Sequence, residues 1–187
     1  MIEVEIRGIL SRDEYTRLQK FLKEKGKHIE SHKREMILLT ELPGYSHNLS
    51  EREVDIRIRN TNGVCELMVK HKASKDNSSR KEMSVPLASL DAGKELARAF
   101  GCTKGVWMYR KKEMYKYHDI EWSLVEAPNS IFYYEAESTT EDASQVPELH
   151  KKLVEEAKTL DLSVLTSSET DEFIEKLNRE VNKEITL

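Results

Sequence analysis

An alternation of apolar and charged residues recurs in five segments of this chain and is the feature that most constrains its fold. In residues 2–7, three aliphatic residues alternate with three charged ones, Glu3, Glu5 and Arg7. Successive side chains of a β-strand point to opposite faces, so a strand here has an apolar face and a charged face. A similar alternation returns in residues 54–59, 66–72, 80–85 and 133–137. The chain therefore predicts several strands that each carry a charged row.

The sign of these rows changes along the chain. The first and last rows are acidic Glu-x-Glu pairs, Glu3/Glu5 and Glu135/Glu137, and the rows between them are mainly basic. The turn sequence Asn60-Thr61-Asn62-Gly63 separates two of the basic rows, which are therefore predicted to form a β-hairpin. The basic positions are Arg57, Arg59, Lys70, Lys72, Arg80, Arg110 and Lys112.

Two arrangements are consistent with these rows. On an ordinary solvated sheet, opposite charges pair across neighbouring strands. In a closed barrel the rows face inward, where the acidic pairs would hold a divalent cation and the basic rows would bind phosphates. Without a cation, Glu3 and Glu5 facing Glu135 and Glu137 would repel one another. Five rows, with acidic pairs at both ends of the chain, favour the barrel.

Four segments have helical patterns. A capping box, Ser11-x-x-Glu14, precedes an apolar stripe that ends at Gly26, which predicts the first helix. In the second helix we expect Leu96 and Phe100 to face inward. A single apolar stripe suits a helix packed on the outer wall of a barrel, and two positions fit the final helix, in that wall or against a second copy in a homodimer. The later helices are predicted at residues 88–100, 142–160 and 169–184.

Length and composition limit the classes of protein to which the chain can belong. Its 187 residues suit a single domain over 1–187, with strands within 1–138 and C-terminal helices in 142–184. The net charge of −4 provides no global basic field, so no nucleic-acid partner is expected. Cys65 and Cys102 fit no metal-binding spacing and no disulfide framework, which indicates reduced thiols. With no signal region or membrane-spanning run, we expect a cytoplasmic protein without a membrane partner.

The ordered series of rows resembles the CYTH family, the triphosphate tunnel enzymes. The hallmark of that family is Glu-x-Glu-x-Lys in the first strand, which stands here as Glu3-Val4-Glu5-Ile6-Arg7, with arginine in place of the usual lysine. The later rows follow in the family's order, up to about residue 160. The positions that resemble the family's are Arg57, Arg59, Lys70, Lys72, Arg80, Glu82, Arg110, Glu135 and Glu137.

This resemblance implies a fold, a cofactor and a set of site residues. The implied fold is α+β, a closed antiparallel eight-stranded β-barrel with a charged lumen and helices packed on the outer wall. The implied cofactor is Mg²⁺ or Mn²⁺, held by Glu3, Glu5, Glu135 and Glu137, with Glu3 and Glu5 as the catalytic residues. A triphosphate-containing small molecule would bind to the basic residues Arg7, Arg57, Arg59, Lys70, Lys72, Arg80, Arg110 and Lys112.

The implied activity is metal-dependent hydrolysis of inorganic triphosphate, thiamine triphosphate or a nucleoside triphosphate. A class IV-type adenylyl cyclase, which makes cyclic AMP from ATP, requires the same cation and phosphate contacts and stays open as an alternative. One departure leaves a third alternative, a non-catalytic polyphosphate-binding module, because Ser123 stands where the family usually has an aspartate. Either Glu121 or Glu126 supplies the missing carboxylate, or a second cation is held more loosely.

Overall fold

The computed structural model describes residues 2–42, 44, 53–72 and 79–187, except for the side chains of Lys72, Ser79 and Arg80. Most of two loops predicted from the sequence, 41–52 and 73–79, lies outside these residues. No helix in the described ranges is long and apolar enough to span a bilayer. The elements are β1 (Ile2–Leu10), α1 (Arg12–Lys25), β2 (Lys27–Leu39), β3 (Val54–Thr61), β4 (Val64–Lys72), β5 (Ser79–Leu87), α2 (Leu90–Ala99), β6 (Lys104–Tyr117), β7 (Ile120–Ala127), β8 (Ile131–Thr140), α3 (Val146–Thr159), α4 (Ser167–Glu180) and β9 (Lys183–Thr186).

These strands form one antiparallel sheet, and with the four helices they give an α+β fold. The strand order is β2-β3-β4-β5-β1-β8-β7-β6-β9, and β2 also pairs with β6 along most of its length, as far as Leu39 opposite Gly105. The predicted hairpin is confirmed, since β3 and β4 pair in register across the turn at Asn60–Gly63. The sequence did not predict β9, which pairs with β6 at Lys104–Trp107, before the part of β6 that pairs with β7.

Two helices cover the apolar face of β1. Ile2, Val4 and Ile6 are buried in a core with residues of α1 and α3. Ser11 and Glu14 form the predicted capping box at the start of α1. Because side chains alternate along the strand, this packing leaves the glutamates of β1 on the opposite face of the sheet. The helix residues in this core are Leu18, Leu22, Leu153 and Ala157.

Small residues of α2 make its contact with the outer face of β3. Gly93 and Ala97 are the buried residues of this helix, and Ala97 shares a core with Ile58. Leu96 is half-buried, but the expectation that Phe100 faces inward is wrong, because 61% of Phe100 is exposed. A Cβ at Gly93 would overlap the Ile58 side chain. The helix therefore lies too close to the sheet for a large side chain at the contact.

The last helix, α4, packs on the face of the sheet that carries the charged rows. Its Phe173 contacts Tyr133 of β8, with the ring centroids 5.3 Å apart. Tyr133 lies two residues from Glu135 on the same strand and therefore shares its face. At this end of the charged face the side chains are apolar, so α4 covers them and does not complete the outer wall. The remaining residues of this small core are Val125, Ala127, Leu177 and Val181.

The connection between α3 and α4 crosses β1 at Gly8. The Leu165 N–H donates a hydrogen bond to the Arg7 carbonyl oxygen at 2.8 Å. The Tyr134 hydroxyl donates another to the Ser163 carbonyl oxygen at 2.9 Å. A Cβ at position 8 would overlap that Ser163 oxygen, so this close approach requires glycine.

Candidate active site

The charged rows meet in one cavity of about 780 Å³ on the inner face of the sheet. Every predicted site residue whose side chain the structure describes lines this cavity, and so do Glu82 and Ser123. The backbone of Arg80 pairs with Glu3 on one side and with Lys72 on the other. The predicted residues that line the cavity are Glu3, Glu5, Arg7, Arg57, Arg59, Lys70, Arg110, Lys112, Glu135 and Glu137.

Three carboxylates of β1 and β8 form an acidic trio, Glu3, Glu5 and Glu137. One oxygen of each lies within 4.8 Å of the others. The strand register produces this arrangement, since Glu5 lies opposite Glu137 and Glu3 is two residues away on the same face. Burial and the neighbouring carboxylates raise the pKa of Glu137 to about 7, and burial together with Glu5 and Glu137 raises the pKa of Glu3 to about 9. In the metal-free protein these groups therefore tend to retain protons.

The acidic trio fits a divalent cation. Carboxylate oxygens are the hard ligands that Mg²⁺ and Mn²⁺ prefer. Burial and mutual repulsion disfavour the charged forms of Glu3 and Glu137, and a cation between the three groups would stabilise these charged forms. The Lys70 ammonium donates a hydrogen bond to Glu3 at 3.2 Å and supplies only part of this compensation.

Glu135, a predicted metal ligand, lies outside the acidic trio. Its carboxylate forms an ion pair with Lys112 and another with Arg7, at 3.2 Å from the Arg7 Nη2 atom. Burial alone would raise the pKa of Glu135, but Lys112 and Arg7 hold it well below its usual range. Arg7 also contacts Glu5 at 2.6 Å. The single negative charge of Glu135 is therefore shared between two cations of the cavity wall.

The basic wall beside the trio is held in place by further carboxylates. Arg57 contacts Asp55 at 3.0 Å, and Arg59 contacts Glu66 at 2.7 Å. Lys70 contacts Glu3 at 3.2 Å and forms an ion pair with Glu82. Glu82 thus takes part in an ion pair inside the cavity. These contacts fix the positions of the guanidinium and ammonium groups before any ligand binds. The residues involved are Asp55, Arg57, Arg59, Glu66, Lys70 and Glu82.

At the end covered by α4, Arg110 bonds to neutral oxygens. Its Nε donates to the Tyr133 hydroxyl at 3.2 Å and its Nη1 to the Tyr109 carbonyl at 2.7 Å. Its Nη2 donates to the Asn182 side-chain oxygen at 2.9 Å. Asn182 lies between α4 and β9, in a part of the chain where the sequence predicted only a helix.

Arg34 of β2 also lines the cavity and was not predicted as a site residue. Three consecutive charged residues, Lys33, Arg34 and Glu35, put charge on both faces of the strand, so alternation could not show which of them faces inward. The burial of Ile37 in the core beneath α2 resolves this question, because it places even-numbered residues of β2 on the inner face. Packing of a distant helix is not visible in the pattern of β2 itself.

Ser123, at the position of the family's aspartate, lies opposite Glu135 on the inner face. It is buried, and its hydroxyl has no hydrogen-bond partner among the described residues. Glu121 lies opposite Glu137 in the register, and Glu126 contacts Lys111 at 3.3 Å. Neither Glu121 nor Glu126 belongs to the acidic trio, the group of potential metal ligands found in the described part of the chain.

This chain is similar in fold to several solved structures, but the sequence identities are too low to assign an activity from them. The PH1819 protein of Pyrococcus horikoshii OT3 has a TM-score of 0.73 and 21% identity, over 93% of this chain and 99% of that one. The PH1012 protein of the same organism has a TM-score of 0.69 and 18% identity, over 89% and 98%. HpAC1 of Hippeastrum, described as a candidate adenylyl cyclase with a dominant triphosphatase activity, has a TM-score of 0.59 and 17% identity, over 88% and 90%.

A comparison with curated proteins finds no significant match. The model of one protein family, the CYTH domain, matches residues 1–170. That range contains both acidic pairs, the basic rows of the cavity and the beginning of α4. The chain belongs to the CYTH domain family.

Proposed function

We propose that this protein is a divalent-metal-dependent triphosphatase, which hydrolyses inorganic triphosphate, thiamine triphosphate or a nucleoside triphosphate. The observation that carries the proposal is the position of the acidic trio beside a wall of fixed cations in one cavity. The trio suits Mg²⁺ or Mn²⁺, and the wall suits a polyanion. The dominant triphosphatase activity in the description of the Hippeastrum relative agrees with this function.

The proposed active site is a basic tunnel within a single domain over residues 1–187. Pairing of β2 with both β3 and β6 supports a closed barrel of strands β1–β8, whose interior would be the cavity. The position of α1 and α3 on the apolar face of β1 supports the inward orientation of the charged rows. A cytoplasmic location and a homodimer stay predictions of the sequence.

In the proposed mechanism, different residues of the cavity bind the cation, contact the phosphates and orient the attacking water. Glu3, Glu5 and Glu137 would hold the divalent cation, which when bound neutralises phosphate charge and lowers the pKa of coordinated water. Either Glu3 or Glu5, or alternatively a second cation, would orient the attacking water, and a glutamate in this role would accept one proton from it. The basic residues would contact the phosphate oxygens and stabilise the charge that develops during phosphoryl transfer. These residues are Arg7, Arg57, Arg59, Lys70, Lys72, Arg80, Arg110 and Lys112.

A product assay tests this function. The protein is incubated with inorganic triphosphate, thiamine triphosphate or ATP in the presence of Mg²⁺ or Mn²⁺, and the products are separated. Orthophosphate that depends on the metal supports the triphosphatase. Cyclic AMP with pyrophosphate would instead establish the adenylyl cyclase, and tight binding without any product would establish the binding module.

A further inference from the structure

A guanidinium group lies between one carboxylate of each acidic pair. The Nε atom of Arg7 is 2.6 Å from the Oε1 atom of Glu5, and its Nη2 atom is 3.2 Å from the Oε1 atom of Glu135. The three side chains are only 25%, 18% and 9% exposed, so solvent and salt screen these contacts weakly. Arg7 therefore bridges β1 and β8 through two ion pairs on the inner face of the sheet.

The charges around this bridge are already balanced. Glu135 also forms an ion pair with Lys112. The two bridged carboxylates are thus matched by two cations, Arg7 and Lys112. Ser123, which lies opposite Glu135 on β7, is buried and carries no charge. A divalent cation placed between Glu5, Glu135 and Ser123 would meet the positive charge of the guanidinium and no excess of negative charge.

The acidic trio, in contrast, keeps an excess of negative charge when its carboxylates are ionised. Among the described side chains, Lys70 contacts it at Glu3 and Arg7 contacts it at Glu5. Each of these two cations also pairs with a carboxylate outside the trio. Three carboxylates are therefore only partly compensated, and oxygen ligands with excess charge are what a divalent cation requires. A cation fits at the trio and does not fit at the bridge.

We propose that the guanidinium of Arg7 takes the place of a second metal ion between Glu5 and Glu135, so that the cavity holds a single divalent cation at the acidic trio. The inference rests on the metal site of the proposed function. Arg7 is a positioning residue in this role, and a guanidinium keeps its charge at every physiological pH. Its Nη1 atom takes no part in either contact, so the bridge is compatible with a phosphate contact. With one cation, a glutamate of the trio orients the attacking water.

The uncharged Ser123 offers a simpler reason for a single cation, and the variant Ser123→Asp separates the two reasons. If only a carboxylate is missing, Ser123→Asp should gain a second cation. If Arg7 fills the place, Ser123→Asp alone should still bind one, because the new carboxylate would meet the same guanidinium. Only the double variant Arg7→Gln/Ser123→Asp, which also removes the guanidinium, should bind two.

Titration with Mn²⁺ in the absence of substrate counts the cations. Free Mn²⁺ gives an electron paramagnetic resonance signal that is lost on binding, so the titration gives the number of ions bound per chain. The wild type and Ser123→Asp should bind one ion, and the double variant two. Lys33→Gln/Ser123→Asp is the matched control and should bind one, since Lys33 is exposed and its replacement changes the net charge equally. Circular dichroism verifies the fold of each variant.

The affinity for the first Mn²⁺ supplies a second measurement, which does not require the double variant to fold. Arg7→Gln removes a positive charge beside Glu5, so the ion should bind about 10-fold more tightly or better. Arg7→Lys keeps the charge and should stay close to the wild type, as should Lys33→Gln. If Arg7 served only to hold Glu5 in position, Arg7→Gln would bind the ion more weakly than the wild type.

Four results would overturn this inference and leave the triphosphatase standing: two ions in the wild type, two in Ser123→Asp, one in the folded double variant, or weaker binding by Arg7→Gln. No bound Mn²⁺ in the wild type would overturn the inference together with the proposed metal site. The product assay judges the reaction separately. The expected ion counts without any metal-dependent product would retain the inference and reject the triphosphatase.

Discussion

Binding of a divalent cation to the acidic trio should release protons. Burial and the neighbouring carboxylates raise the pKa of Glu3 to about 9 and that of Glu137 to about 7. At pH 7, Glu3 then holds about one proton and Glu137 about half a proton in the metal-free protein. A metal requires its ligands deprotonated, so each cation should displace about 1.5 protons at this pH.

The number of released protons and the affinity should both change with pH in a defined direction. At pH 6 both groups are protonated and about 1.9 protons should leave, whereas at pH 8 only about 1.0 should leave. Because protons compete with the cation, the apparent affinity should rise with pH. Integration of the proton release gives an increase of about 1000-fold between pH 6 and pH 8.

Calorimetric titration with Mn²⁺ in buffers of different ionisation enthalpy measures these quantities. The slope of the observed enthalpy against the buffer ionisation enthalpy gives the number of protons. Glu137→Gln should reduce the release at pH 7 to about one proton. Glu24→Gln, an exposed position on α1, should leave the release unchanged. An affinity that stays flat from pH 6 to pH 8, with no proton release, would refute the electrostatic account of the trio.

Three further outcomes are expected. Glu5→Gln should abolish turnover with saturating Mg²⁺ while circular dichroism shows an intact fold, and activity within about threefold of the wild type would contradict the metal assignment. Arg57→Ala or Arg59→Ala should cost about 1.5–3 kcal/mol of triphosphate binding in calorimetry and much less for orthophosphate, whereas equal losses would exclude a cavity that distinguishes phosphate number. Triphosphate with Mg²⁺ at a hundredfold excess over Kd should stabilise the fold by about 2.7 kcal/mol, or about 5–10 °C in melting temperature; a response to a neutral nucleoside instead would contradict the site.

The acidic trio could be predicted from the sequence because its strands alternate strictly. In β1 every inward residue from Glu3 to Arg7 is charged and every outward one is aliphatic, so the two faces are distinct. The placement of Glu3, Glu5 and Glu137 together also needs the β1–β8 register, whereas the resemblance implied only that both acidic pairs hold one cofactor. The sequence could not show that Glu137 belongs to the trio and Glu135 does not. The ion pairs of Glu135 with Lys112 and Arg7 depend on how the neighbouring strands are arranged.

The end of the cavity that α4 covers could not be predicted from the sequence, because the residues that form it are far apart in the chain. Val125 and Tyr133 continue the inner face with bulky side chains, and only the position of Phe173 shows that a helix packs against them. The same holds for Asn182, whose place at the cavity is apparent only from the hydrogen bond that it accepts from Arg110. A pattern within one segment cannot indicate a contact between elements so far apart in the chain.

The crossing of the α3–α4 connection over Gly8 makes β1 intolerant of any change in register. Within six residues, this strand supplies two carboxylates of the trio, the cation Arg7 and the one position at which the connection can pass. A shift by one residue would turn Glu3 and Glu5 toward the apolar core under α1 and α3. It would also bring the side chain of Arg7 or Ile9 against the Ser163 carbonyl. The proposed metal site and the connection that leads to α4 therefore depend on the same strand, and a substitution that loosens the β1–β8 pairing should weaken both together.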